Sequence, residues 1–95
     1  CGGCDFQHLA YAAQLEAKRE IVLDCFRRIG GITLDPFDVV GSPKDYGYRT
    51  RVDWAVDQAQ PALGYHQRVS HDIFDAVTCP ILDPVLDAVR ETLRE

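Results

Sequence analysis

With 95 residues, 46% of them apolar and 26% charged, the chain has room for one modest hydrophobic core and is not a low-complexity polymer. A formal charge of −5 argues against a free-standing nucleic-acid binder, which is usually basic. No apolar run approaches the roughly 20 residues that cross a bilayer, so no membrane partner is expected.

The acidity is uneven. Both flanks are acidic, whereas residues 41–71 set Asp45, Asp53 and Asp57 against Lys44, Arg49, Arg51 and Arg68. That middle stretch alone does not repel phosphate. The chain starts at Cys1 and contains no methionine, as expected of a processed or excised piece. It shows no basic-plus-apolar leader.

The first element is a helix over Leu9–Ile29. Leu15, Ile21, Val22, Cys25, Phe26 and Ile29 recur at spacings of three, four and seven, and charged residues fill the opposite face. Arg27 and Arg28 suit the negative end of the helix dipole, and Gly30-Gly31 supplies the stop. Residues 32–47, with Leu34-Asp35-Pro36 and Gly41-Ser42-Pro43, read as a long connection.

Tyr48–Val56 alternates. Tyr48, Thr50, Val52, Trp54 and Val56 face one way and Arg49, Arg51, Asp53 and Ala55 the other, the period of a half-buried strand. Asp57–Pro61 reads as a turn, Ala62–Arg68 as a return strand and Ser70–Val77 as a third. Short connections make the pairing antiparallel. Cys79-Pro80 closes the third strand. Asp83-Pro84 then opens a second helix, with Asp83 as N-cap and Leu82, Val85, Leu86, Val89 and Leu93 as its apolar face. Helix, loop, three strands and helix make an α+β fold, one partial domain over residues 1–95 with both helices on one sheet face.

The chemistry lies in the cysteines. Cys1-Gly2-Gly3-Cys4 sets two thiols on a glycine-softened turn, where both can reach one metal centre, and Cys79 sits before a proline downstream. Iron–sulfur clusters and tetrahedral zinc both use such turns. Plain thiols, with Cys79 packed in a core, are the bland alternative. A Cys3His zinc site with His8 or His71 is another. The pattern suits a cytoplasmic chain better than a secreted disulfide framework. Arg49, Arg51 and Arg68, with Tyr48, Tyr65, His66 and His71 near them, make a candidate face for phosphates and stacked bases. An ordinary solvated face balanced by Asp53 and Asp72 is the competing reading. Trp54, on the apolar side, reads as core.

Cys1-Gly2-Gly3-Cys4, Gln7-His8-Leu9, Tyr11, Gln14-Leu15, Lys18 and Arg27-Arg28-Ile29-Gly30-Gly31 together resemble the bacterial uracil-C5 methyltransferases of 23S ribosomal RNA. So do Ser42-Pro43, Tyr46-Gly47-Tyr48-Arg49, Arg51-Val52, Gly64-Tyr65, Ser70-His71 and Cys79-Pro80-Ile81-Leu82, in order over nearly the whole chain. The resemblance implies a [4Fe–4S] cluster on four cysteines. Cys1, Cys4 and Cys79 match the last three, and the first has no counterpart in residues 1–95. Cys25 matches none and reads as a small buried residue.

The resemblance also implies ribosomal RNA as partner, and S-adenosylmethionine as the methyl donor, bound by a separate Rossmann-like domain. That domain's glycine-rich loop, nucleophilic cysteine and general base have no match here. The chain alone is therefore expected to be a non-catalytic segment. Uncovered sheet edges in such a piece predict self-association.

Overall fold

The computed structural model describes residues 1–94. The chain forms two compact units, one of Asp5–Pro43 and one of Cys1–Cys4 with Lys44–Glu95.

The first unit is built on helix α1, Tyr11–Arg28. Its ion pairs are local: Arg19 with Glu16, and Arg27 and Arg28 with Asp24. The helix gives way at the expected glycines. Gly31 takes φ 63°, and the Ile32 amide donates to the Phe26 carbonyl at 3.0 Å. The connection then runs back along the helix. Thr33 and Leu34 lie by Leu23 and Arg27, and Asp38 and Val39 by Leu15 and Arg19. The Ser42 amide donates to the Tyr11 hydroxyl at 2.6 Å. At Gly41 a side chain would begin 3.2 Å from Leu15 Cδ1, so the strap passes where little more than a glycine fits.

The apolar stripe forms but stays open. Ile21 is 50% exposed, Phe26 43%, and no α1 residue is buried. Cys25, expected in a core, is exposed. The strap is a single extended layer and cannot enclose the stripe.

The second unit is a three-stranded antiparallel sheet in the order β1 (Ala55–Asp57), β2 (Ala62–His66), β3 (Ile73–Asp75), followed by α2 (Pro84–Arg94). The α+β class is as expected. The Asp57 carboxylate accepts from the Ala59 and Gln60 amides and fixes the first turn. Asp83 caps α2 as read from sequence, its carboxylate accepting from the Val85 amide at 2.9 Å.

Two expectations are corrected. The strand read over Tyr48–Val56 shrinks to Ala55–Asp57. Residues 47–49 pair instead with a distant segment: Gly47 N–H donates to Pro80 O, Arg49 N–H to Ile81 O, and Asp83 N–H to Arg49 O. Arg49 and Leu82 thus form an isolated parallel bridge. The alternation slips at Trp54-Ala55, both half-buried, and leaves Val56 65% exposed.

The second correction concerns α2. Val85, Val89 and Leu93 are 71%, 44% and 61% exposed, and the helix turns Arg90 inward at 1%. Arg90 donates to the Asp87 carboxylate and the Ala76 carbonyl, and Arg94 makes a two-oxygen contact with Asp75. These bonds tie α2 to the end of β3 through its charged side. The apolar core is correspondingly small: Ala76, Ile81 and Leu82. No helix of the described residues is long and apolar enough to cross a membrane.

Candidate metal centre

Ile81 and Leu82 are buried, so the segment that carries Cys79-Pro80 is anchored by its own apolar residues. Hydrogen bonds from residues 47–49 hold it from the side. The Leu82 amide closes a turn onto the Cys79 carbonyl at 3.1 Å. The other thiols come from the chain's first residues. The Gly3 amide donates to Cys1 Sγ at 3.3 Å, a tight N–H···S turn. A Cβ on Gly2 would stand 3.2 Å from Arg68 Cβ and Cγ. Glycine there lets the turn lie on the aliphatic stem of Arg68.

The two segments meet. Cys1, Gly2, Gly3, Cys4 and Cys79 line one cleft of about 260 Å³, closed by Arg49, Tyr65, His66 and Ile81. All three cysteines are free thiols. They are soft donors, suited to iron or zinc. Among the described residues, no group of three or more His, Cys, Asp or Glu is arranged to hold a single metal ion. The thiols border a cleft rather than closing on a point.

The Tyr65 hydroxyl and Trp54 Nε1 are buried and make no hydrogen bond of acceptable geometry. Burial above all, and then the Cys79 thiol beside it, raise the Tyr65 pKa above the ordinary phenol value; Trp54 and the Arg49 charge pull it back. Tyr65 therefore sits against Cys79 with a proton it has not committed. Trp54, read from sequence as core, is half-buried and is not among the buried core residues.

His66 Nδ1 lies 3.0 Å from the His71 carbonyl. A carbonyl only accepts, so Nδ1 carries a proton, and in the neutral ring the lone pair is then on Nε2. The two rings meet edge-on at 6.3 Å. His8, one of the two histidines weighed from sequence, belongs to the other unit. His66 lines the cleft instead.

Of the three candidate arginines, Arg49 lines the cleft and Arg68 lies under the cysteine turn. Arg51 does not join them. It is exposed, and its carbonyl accepts from Arg49 Nε at 3.0 Å. Placing Arg49 beside the sulfurs was beyond sequence reasoning, because it follows from a parallel pairing across some thirty residues. Tyr65, read from sequence as a stacking neighbour of the arginines, lines the same cleft.

No family model matches the chain. It is 36% identical over its full length to an uncharacterized RNA methyltransferase of Thermosynechococcus vestitus, of which it covers 22%. It is 35% identical over 99% of its length to one of Gloeobacter violaceus, again 22% covered. It is 35% identical over its full length to one of Clostridium tetani, 21% covered. The chain is a homologue of one segment of RNA methyltransferases. It spans about a fifth of the length of these relatives. Within this chain, the feature with chemical potential is the three-cysteine cleft.

Proposed function

We propose that the chain is the part of an RNA methyltransferase that binds a [4Fe–4S] cluster and helps position the RNA substrate. The convergence of Cys1, Cys4 and Cys79 on one cleft carries this reading. The donors are of the right chemical kind for the group: the sulfurs of Cys1, Cys4 and Cys79, lining one cleft. When bound, the cluster supplies a covalent tie between the cysteine turn and the Cys79-Pro80 segment. The chain's own residues do the rest. The Gly3 amide orients Cys1, and the bonds from residues 47–49 hold the Cys79 segment at its station.

The substrate in this proposal is ribosomal RNA, methylated at uracil C5 by S-adenosylmethionine-dependent chemistry outside these residues. Arg51 and Arg68, both exposed, are the contributors to phosphate contact. The −5 charge of the chain makes this segment an accessory to RNA binding rather than its main source.

Anaerobic purification of the full-length protein tests the cluster. Iron with acid-labile sulfide and brown absorbance is expected, and Cys79→Ser should lose iron and lower the melting temperature. A preparation without sulfide but with stoichiometric zinc would favour a second reading, a Cys3His site completed by His66. The bond to the His71 carbonyl favours that reading, since a neutral His66 donating from Nδ1 presents Nε2 to a metal.

A further inference from the structure

Most arginines of this chain with recorded side-chain bonds spend their charge on carboxylates: Arg19 on Glu16, Arg27 and Arg28 on Asp24, Arg90 on Asp87, Arg94 on Asp75. Arg49 does not. Its side chain makes one recorded hydrogen bond, from Nε to the Arg51 carbonyl at 3.0 Å. That bond leaves the two terminal nitrogens, and the delocalised charge they share, without a carboxylate among the described residues.

The backbone of Arg49 is clamped on both sides. Its amide donates to Ile81 O at 2.8 Å and its carbonyl accepts from Asp83 N–H at 3.0 Å. Those bonds fix it against the segment that begins two residues before Ile81, at Cys79. The side chain lines the cysteine cleft, and its charge reaches the Tyr65 phenol in that cleft.

We infer that Arg49 is the counter-charge of the cysteine cleft: it stabilises the anionic sulfur centre held by Cys1, Cys4 and Cys79, and it is not a phosphate contact to RNA. The inference rests on the cluster reading above. Thiolates and sulfides place negative charge in the cleft, and a cation held within it offsets that charge at no cost of reorganisation. A charge-assisted N–H···S bond is also stronger than a neutral one. Partners of this kind around metal ligands are worth roughly 10–100-fold in metal affinity.

The test uses the full-length protein, reconstituted anaerobically with iron and sulfide, as wild type, Arg49→Gln and Arg49→Lys. Iron release to a strong ferrous chelator is followed by absorbance. Arg49→Gln should release iron at least about tenfold faster than wild type. Arg49→Lys should recover most of the difference, because it keeps the charge.

Equal rates for wild type and Arg49→Gln overturn the inference and leave the cluster reading standing. Equal acceleration in Gln and Lys also overturns it, because shape rather than charge would then be the cause. Wild-type protein that takes up no iron and sulfide overturns both. A parallel titration with a single-stranded, uridine-containing RNA reads the rival role. Arg49→Gln should leave the salt dependence of binding unchanged. A salt slope smaller by about one returns Arg49 to the phosphate backbone.

Discussion

The two units are stabilised on different length scales. On α1, in the Asp5–Pro43 unit, ion pairs link residues three or four apart, and the helix buries no residue. In the other unit the decisive bonds are long-range. Arg90 reaches Ala76 and Arg94 reaches Asp75, and residues 47–49 pair with 80–83. A helix held by local pairs forms and frays with small free-energy changes. A sheet and helix joined by a few buried polar bonds fail together when one is broken. The candidate metal centre lies in the second kind of structure, where geometry is stiff.

The largest test of that difference is Gly64→Ala. The strand register opposes Gly64 to Asp75, and an added Cβ would stand 1.9 Å from the Phe74 carbonyl oxygen and 2.7 Å from the Ala76 nitrogen. Both obstacles are backbone, so β2 and β3 must separate. We expect a loss of more than about 3 kcal/mol in denaturant unfolding of the full-length protein. Gly31→Ala in the first unit meets no neighbouring atom within 4 Å. It suffers only the strain of a positive φ, about 1 kcal/mol. Equal losses at the two positions would refute the contrast.

Next in size is Arg90→Met, which keeps the bulk of a 1% exposed side chain and removes its charge. Ala76 O keeps a longer bond from Arg94 at 3.3 Å, and Asp87, 29% exposed, turns to water. That relief lowers the cost below that of a fully buried pair, to about 2 kcal/mol. The same unfolding curves measure it. A neutral or stabilising result would mean that α2 is held by apolar contact and that its polar network is incidental.

Local signals made half of the fold legible. The spacing of Leu15, Val22 and Phe26 and the pair Gly30-Gly31 placed α1 within two residues at its start and one at its end. Asp83-Pro84 placed the start of α2. What failed depended on partners far away in sequence. Tyr48–Val56 alternates well enough for a strand, yet the backbone of 47–49 is claimed by Pro80–Asp83. The run of Val85, Val89 and Leu93 predicts a buried face, but the bond available at Ala76 turns Arg90 inward and Asp75 holds Arg94 at the surface. Cys1, Cys4 and Cys79 were selected as a set by resemblance and spacing, and they do share a cleft. Periodicity alone marked Cys25 as buried, and it is exposed. Amphipathic spacing shows which face would be buried if something covered it.

The smallest effect is also the most direct comparison of the units, because each contains an aspartate with a depressed pKa. Asp24 is lowered first by hydrogen bonds from Arg27 and Arg28, its neighbours on α1. Asp75 is lowered first by Arg94, nineteen residues away, and then by the Leu63 amide. The sign is the same for both. A carboxyl whose folded pKa lies below its unfolded value adds stability at neutral pH, and that stability is lost as pH falls through the folded pKa, below about pH 4. Salt separates them. The exposed helical pairs of Asp24 are screened, whereas Asp75 keeps a backbone hydrogen bond that salt does not remove. Thermal melts of Asp24→Asn and Asp75→Asn between neutral and acid pH should therefore diverge at high salt. Asp24→Asn should become indistinguishable from wild type, and Asp75→Asn should still flatten the acid-side fall of the melting temperature. If both differences vanish together in salt, the tie between α2 and β3 is no stronger than a surface ion pair.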